Sequence, residues 1–104
     1  MGESFRSRVY SALTKIPSGK VTTYKEIANY LNCRAYRAVG TAVASNPLAP
    51  QVPCHRVVRT NRSIGEYSGT GGVRKKISLL KKEGIEIKKN KIIGFEKVFF
   101  RMGK

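Results

Sequence analysis

The sequence predicts a small α+β domain that has a winged-helix-like helix-turn-helix core and a short β element. Three observations favour this fold class. Apolar residues recur at helical spacing in three segments. A tight turn joins the second of these segments to a further short helix, and short β-branched runs lie between and after the helices. At 104 residues the chain has room for one modest core, and we expect a single domain over residues 1–104.

The first predicted helix spans residues 4–16 and is amphipathic. The apolar residues that define it are Phe5, Val9, Ala12, Leu13 and Ile16. Pro17-Ser18-Gly19 ends the helix, and the β-branched run Val21-Thr22-Thr23 then forms a connector.

The two helices of the predicted helix-turn-helix come next. Thr23-Tyr24-Lys25-Glu26 matches a capping box and begins the first of them. Its buried face is formed by Ile27, Ala28 and Leu31. After a turn at Asn32-Cys33, the second helix begins at Arg34 or Ala35 and ends at Ser45, because a residue before Pro47 is pushed out of the helical region.

The second helix of this pair has unusually small side chains. They are Ala35, Ala38, Gly40, Thr41, Ala42 and Ala44, and they follow Arg34, Tyr36 and Arg37. Small residues let a helix backbone approach a neighbouring surface closely. That surface is either another helix of the same domain or the groove of a nucleic acid, with Arg37 projecting into it. The composition alone leaves both interpretations open.

Composition and charge restrict the function further. Lys and Arg number 21 against six acids, the net charge is +15, and Asp is absent. This excludes Ser-His-Asp triads and Asp-based magnesium or calcium sites within the chain. One histidine and two cysteines do not complete a four-ligand zinc site, and we expect no metal. The expected partner is a polyanion, with nucleic acid ahead of a membrane surface.

No membrane or secretory segment is evident in the sequence. No apolar run approaches the ~20 residues of a membrane span, and no apolar signal segment follows Met1. We therefore expect both cysteines to be reduced and the protein to be intracellular, in the cytoplasm or associated with the nucleoid or nucleus.

Pro53-Cys54-His55-Arg56-Val57 is the most informative stretch, because it places a thiol beside the only histidine. A thiol attacks as its thiolate, which the nearby cations Arg56 and Arg59, the adjacent His55 and the net positive charge of the chain favour. Adjacent side chains of an extended segment point to opposite sides. A water-bridged or distorted Cys–His arrangement is therefore expected rather than a protease-like pair. The alternative is a buried structural cysteine in a turn.

The remaining segments complete the predicted fold. Val57-Val58-Arg59 is predicted to form a buried strand, and Asn61-Arg62-Ser63 a turn. The glycines around Tyr67 lack the Walker spacing and fit a pocket wall better than a phosphate loop. A third helix is defined by Val73, Ile77, Leu79 and Leu80, and it ends at Glu83 with Gly84 as its cap.

The C-terminal region is predicted to contain two strands. They are Ile85 to Ile87 and Phe95 to Phe100, on either side of the basic hairpin tip at residues 88–91.

Together these motifs resemble the O6-alkylguanine-DNA alkyltransferase family, also called methylated-DNA–protein-cysteine methyltransferases. The resemblance covers nearly the whole chain. Its six motifs, in order, are Thr23-Tyr24, Arg37-Ala38-Val39-Gly40, Asn46-Pro47, Pro53-Cys54-His55-Arg56-Val57, Tyr67-Ser68-Gly69, and Leu79-Leu80 with Glu83-Gly84. One of these motifs would be suggestive, whereas six in register are highly specific.

The resemblance implies a chemistry centred on Cys54, which would accept the alkyl group from guanine O6 in DNA. Glu83, His55 and a water would form the relay that activates the thiol. The thioether is a poor leaving group, so each molecule would act once and without a cofactor. The implied partner is double-stranded DNA containing O6-alkylguanine, bound by a monomer.

The resemblance also implies roles in DNA binding and in the pocket. Arg37 would fill the space left by an extruded base, Tyr24 would rotate the target nucleotide, and Asn46 would form a hinge before the active-site loop. The other implied DNA contacts are Arg34, Ala38 and Gly40. The implied pocket residues are Tyr67, Ser68, Gly69, Val57 and Pro53. Without the resemblance, Glu83 could be a solvent-facing helix end, Tyr67 a core aromatic and Asn46 a helix cap.

Three departures from the family pattern bear on function. The N-terminal domain that most members carry has no room in this chain. Glu66 replaces the usual Asn or Gly, and the segment from Gly69 to Val73 is longer than in many relatives. Short alkyltransferase-like proteins bind lesions without repair and replace the cysteine, often with tryptophan. Because Cys54 is present and Trp is absent, repair is favoured over lesion sensing, and both over general nucleic-acid binding.

Overall fold

The computed structural model of the chain consists of helices and short strands. It describes residues 4–32, 34, 36–45, 52–65, 67 and 71–102. The helices are α1 (Phe5–Leu13), α2 (Tyr24–Tyr30), α3 (Tyr36–Ala44), α4 (Gly72–Lys82) and α5 (Phe95–Val98). The strands are β1 (Thr22–Thr23), β2 (Val57–Val58), β3 (Ile87–Lys88) and β4 (Lys91–Ile92). The α+β class is therefore confirmed. Several residues singled out above lie outside the described ones: Cys33, Ala35, Asn46, Pro47, Glu66, Ser68 and Gly69.

α1 is shorter than its apolar spacing predicts. Ser4 caps its start, and the helix ends at Leu13. After Leu13 the chain forms a tighter, 3₁₀-type turn, in which the N–H of Ile16 donates to the carbonyl of Leu13 at 3.1 Å. Ile16 is nevertheless buried. The apolar spacing at this position therefore indicates burial in the core and not a continued helix.

α2 and α3 form the predicted helix-turn-helix. Thr23 Oγ1 accepts the N–H of Glu26 at 3.1 Å, which confirms the first half of the capping box. The Glu26 carboxylate instead accepts the N–H of Met102 at 2.8 Å and holds the C-terminal segment near the start of α2. Asn32 makes the turn between the helices in the left-handed region (φ +57°). α3 packs against both α1 and α2.

β2 separates two clusters of buried side chains. It pairs in parallel with β1, so the segment predicted to be a connector is a strand, whereas the strand predicted at Val57-Val58 is confirmed. Neighbouring strand residues point to opposite faces. Val57 accordingly packs with the residues of α1, α2 and α3, and Val58 packs in a second cluster with Val21 and Leu80. Strand β2, which follows the Cys54 turn, therefore makes buried contacts on both of its faces.

The C-terminal region differs from its predicted pattern. A hairpin is present, with Lys89 and Asn90 at positive φ in its turn, but its second strand is β4. The strand predicted from Phe95 to Phe100 is wrong, because residues 95–98 form α5. Gly94 begins this helix in the left-handed region, and Phe95 stacks on Phe99 with ring centroids 5.1 Å apart. This aromatic pair has helical spacing.

Lys76 connects α4 to the segment that follows Cys54. Its side chain is fully buried. Its Nζ donates to the carbonyl oxygens of Val57 at 2.7 Å and Ile64 at 2.5 Å. Since buried carbonyls need a donor, this side chain supplies hydrogen bonds to two backbone carbonyls of the segment that follows Cys54. It also fixes α4 relative to β2.

Replacing Lys76 with Met should lower the free energy of unfolding by about 2–4 kcal/mol, because two buried carbonyls lose their donor. Urea unfolding followed by circular dichroism measures this. Lys75→Met removes the same charge from the exposed neighbouring position and should change stability by less than about 0.5 kcal/mol. Equal stabilities for the two variants would contradict the assigned role of Lys76.

Candidate active site

Cys54 begins a short 3₁₀ turn, Cys54–Arg56, and its side chain is 2% exposed. The N–H of Arg56 closes the turn by donating to the carbonyl of Pro53 at 3.0 Å. The extended conformation expected for this segment is therefore wrong. Because a 3₁₀ helix has about three residues per turn, neighbouring side chains diverge by roughly a third of a turn. Cys54 packs in the cluster with α1, α2 and α3, and His55 points elsewhere.

His55 is held by Glu83, the residue that caps the C-terminal end of α4. Its Nε2 lies 3.0 Å from Glu83 Oε2, and both side chains are largely buried (3% and 14% exposed). A carboxylate can only accept, so Nε2 carries the proton. Nδ1 is then the acceptor nitrogen of the ring, and it is buried with no hydrogen-bond partner among the described residues.

Arg56 fixes the carboxylate that holds His55. Its Nη2 and Nε donate to the Glu83 carboxylate at 2.7 and 3.0 Å, and its Nη1 donates to the carbonyl of Ile16 at 2.7 Å. The N–H of Gly19 adds a longer bond of 3.4 Å to the same carboxylate. Glu83 is therefore not a solvent-facing helix end. It joins the end of α4, the turn after α1 and the Cys54 turn.

These contacts determine the protonation states of the pair. Burial lowers the pKa of His55 below its usual 6.5, and the hydrogen bond that His55 donates to Glu83 opposes this shift without cancelling it. Burial alone would raise the pKa of Glu83, but hydrogen bonds from Arg56 and His55 outweigh burial and lower that pKa below 4.5. At neutral pH the pair is a neutral imidazole bonded to a carboxylate.

Cys54 opens into a cavity of about 470 Å³ beside α3. Its described lining consists of Tyr24, Tyr36, Arg37, Gly40, Thr41, Val43, Ala44, Cys54 and Arg59. The predicted DNA-contacting helix and the predicted alkyl acceptor therefore share one cavity. A volume of this size is in the range of small-molecule sites.

The small side chains of α3 lie largely on its outer face. Ala38, Thr41 and Ala44 are exposed, whereas Val39, Ala42 and Val43 form the buried face. A Cβ added at Gly40 would meet no atom of the described residues within 4 Å. Gly40 is therefore not needed for packing against another helix. Of the two interpretations left open by the sequence, close approach of an external ligand is the one that this geometry favours.

The remaining residues predicted to form the pocket or to contact DNA differ in their burial and in their packing near Cys54. Tyr67 is half-buried and packs against the Cys54 cluster, and burial together with negative charge at Cys54 raises the pKa of its hydroxyl. Pro53 and Val57 are buried beside Cys54 in the chain, whereas Arg34 is exposed before α3. The roles assigned to these residues remain predictions.

Sequence reasoning missed two residues that organise the site. Arg56 was interpreted as a cation near the thiol, but its guanidinium is bonded to Glu83. Lys76 was not singled out, although a signal for its burial was present. It lies on the apolar stripe of α4, four residues before the buried Leu80 and next to the half-buried Ile77.

The part of the chain that the structure describes shows neither a metal-binding cluster nor a membrane-spanning helix. It contains no group of three or more His, Cys, Asp or Glu side chains that could hold a metal ion. None of its helices combines the length and the apolar character needed to cross a bilayer.

The fold and the site define a helix-turn-helix protein with a buried cysteine centre. A family model described as 6-O-methylguanine DNA methyltransferase, DNA binding domain, matches residues 4–85. The chain therefore belongs to the 6-O-methylguanine DNA methyltransferase family. It is 48% identical over 83 residues to a methylated-DNA–protein-cysteine methyltransferase of Saccharolobus islandicus, covering 80% of this chain and 52% of the relative.

Two solved structures extend the comparison. Mycobacterium tuberculosis OGT in complex with DNA matches with a TM-score of 0.73 and 42% identity, over 80% of this chain and 51% of that one. S. pombe Atl1, in complex with damaged DNA containing O6-carboxymethylguanine, matches with a TM-score of 0.80 and 31% identity, over 92% of this chain and 94% of that one. The chain spans about half the length of the methyltransferase relatives and nearly the whole of Atl1.

Glu83→Gln should lower the free energy of unfolding by about 2–4 kcal/mol at pH 7, because Arg56 loses its anionic partner in a largely buried position. The folded-state pKa of Glu83 lies below 4.5, so its contribution is complete above pH 4.5 and is lost as the pH falls through the folded-state pKa. Urea titrations at several pH values should show the difference from wild type narrowing below pH 4.5.

The matched control for this prediction is Glu86→Gln, which removes a carboxylate from an exposed position three residues away. It should leave stability nearly unchanged at every pH. A Glu83→Gln difference that persists undiminished in acid would mean that the side chain stabilises the fold through packing and not through its charge.

Proposed function

We propose that this chain repairs DNA by transferring the alkyl group of O6-alkylguanine to Sγ of Cys54, once per molecule. The observation that carries the proposal is the shared cavity, in which the thiol and the outer face of α3 meet. The residue after Cys54 is a buried imidazole, and its acceptor nitrogen has no hydrogen-bond partner among the described residues. A binding surface alone does not need a nucleophile at this position.

The geometry supports the following transfer. His55 Nδ1 accepts the thiol proton, through a water as the family resemblance implies, while Nε2 stays bonded to Glu83. Sγ attacks the alkyl carbon, the S–C bond forms, and the C–O6 bond breaks with its electron pair going to guanine. The proton held by His55 is returned to the guanine. The resulting thioether is inert, so Cys54 is not regenerated.

The target base must leave the duplex to reach the buried Sγ, because the reacting atom is inaccessible inside the base stack. The outer face of α3 is suited to lie against DNA, since its side chains are small and Arg37 is exposed at its first turn. The net charge of +15 provides the attraction to phosphate. We infer an intracellular location, wherever the cell keeps its DNA.

Lesion sensing without transfer is the second candidate, and one observation favours it. Atl1 has nearly the same extent as this chain, whereas the methyltransferase relatives are about twice as long. Covalent transfer separates the two candidates. We favour repair because Cys54 is a thiol and the next residue, His55, is a buried imidazole whose Nδ1 has no hydrogen-bond partner among the described residues.

Incubation with excess O6-methylguanine DNA should add one methyl group to Cys54 and none to Cys33, and the reaction should stop at one equivalent. Peptide mapping by mass spectrometry measures both. Cys54→Ser should abolish transfer and retain lesion binding, since a hydroxyl is far harder to ionise. Cys33→Ser is the matched control and should transfer normally. A wild-type protein that binds the lesion but stays unmethylated would be a sensor.

Arg37→Ala should slow transfer from duplex DNA by about tenfold or more, because extruding a base costs a few kcal/mol and about 1.4 kcal/mol corresponds to tenfold. Reaction with O6-benzylguanine as an isolated base needs no extrusion and should change much less. Single-turnover rate constants for both substrates test this. Arg74→Ala removes an exposed charge from α4 as a control. Equal losses on both substrates would assign Arg37 to the pocket itself.

A further inference from the structure

Arg59 follows β2 and lines the Cys54 cavity, although no motif discussed above includes it among the functional residues. Its backbone is fixed by a turn, in which its N–H donates to the carbonyl of Ser63 at 3.0 Å and its carbonyl accepts from Arg62 at 2.8 Å. The side chain is exposed. None of the ion pairs found among the described residues uses it. The backbone of Arg59 is therefore held in a turn, and its exposed guanidinium lies at the cavity.

The Arg59 side chain runs close to Gly65 and Tyr24. A Cβ added at Gly65, where φ is +77°, would lie 3.4 Å from Arg59 Cγ and 3.6 Å from Arg59 Nε. The same point is 3.6 Å from the hydroxyl oxygen of Tyr24. Arg59 and Tyr24 therefore border one spot on the cavity wall, and both also line the cavity that contains Cys54.

We infer that Arg59 binds the phosphate of the extruded nucleotide and so holds its base over Cys54; this rests on the proposed function. Guanine and its O6-methyl group are uncharged, so the phosphate is the only anion that such a nucleotide brings to the cavity. A base that reaches a buried thiol stays attached to its sugar and phosphate, which must remain near the cavity mouth. An exposed guanidinium there can form two parallel hydrogen bonds to phosphate oxygens.

This role differs from that proposed for Arg37, although both arginines line the same cavity. Arg37 acts on the gap in a duplex, whereas Arg59 acts on the nucleotide itself. Three substrates separate the two roles. Duplex DNA has both the gap and the phosphate, single-stranded DNA has only the phosphate, and an isolated base has neither.

The test measures single-turnover transfer by Arg59→Ala on these three substrates at low salt. The rate constants should fall roughly tenfold on both duplex and single-stranded O6-methylguanine DNA, because a charge-assisted phosphate contact is lost. The rate with O6-benzylguanine as an isolated base should be unchanged. Arg59→Lys, which keeps the charge but not the fork, should recover part of the loss on both DNA substrates.

A phosphate substitution identifies the contact directly. An oligonucleotide with a neutral methylphosphonate on the 5′ or 3′ side of the lesion should react slowly with the wild-type protein at one of these positions. At that position Arg59→Ala should cause no additional loss. Arg62→Ala is the matched control, because it removes the same charge from the same turn, where the guanidinium is bonded to Glu96 at 2.8 Å. It should leave transfer unchanged on every substrate.

Three results would overturn the inference. A loss confined to duplex DNA would place Arg59 on the opposite strand or in the gap. A loss of rate on the isolated base would make Arg59 part of the pocket. If Arg59→Ala slows transfer by its full factor even on both methylphosphonate substrates, Arg59 contacts neither phosphate. If the wild-type protein transfers nothing, the proposed function fails by itself. The same variants and oligonucleotides then test the phosphate contact through lesion-binding affinity.

Discussion

The arrangement of the site depends on one carboxylate, that of Glu83. It accepts hydrogen bonds from His55, from Arg56 and from the N–H of Gly19, which belong to segments far apart in the chain. The lowered pKa keeps this group ionised at neutral pH. An ionised acceptor on Nε2 leaves only one tautomer for a neutral imidazole, with Nδ1 as the acceptor nitrogen. One anion thus determines both where His55 points and which of its atoms can take a proton.

The two buried clusters give that carboxylate a fixed position relative to the thiol. Cys54 belongs to the cluster of α1, α2 and α3, while α4, which ends at Glu83, contributes Leu80 to the other cluster. β2 joins the clusters through adjacent residues on its two faces, and Lys76 bonds α4 to the backbone of β2. Because these contacts exist without DNA, the proposed proton acceptor and the proposed nucleophile are positioned before any ligand binds.

The sequence predicted this site better than its surroundings, for a physical reason. Cys54, His55 and Glu83 are chemically distinctive residue types in recognisable motifs, and the cap at Thr23 and the left-handed Gly84 after the end of α4 are local patterns. The 3₁₀ turn at Cys54 and the Arg56–Glu83 pair depend instead on contacts between distant segments. Helix α5 was misread because its aromatic residues suit a strand by propensity.

The buried state of His55 bears on whether the protein transfers an alkyl group or only binds it. A buried acceptor in a native protein is bonded to a protein group or to an ordered water in most cases, so one that lacks a protein partner is a place for a water or for a functional role. Nδ1 of His55 has no hydrogen-bond partner among the described residues, although Nε2 of the same ring is bonded to Glu83. Recognition of an extruded base needs shape and hydrogen bonds at the cavity wall, and it does not need a proton acceptor next to a thiol in the chain. Alkyl transfer requires the thiol proton to be removed, so His55 gives a physical reason to prefer repair over sensing.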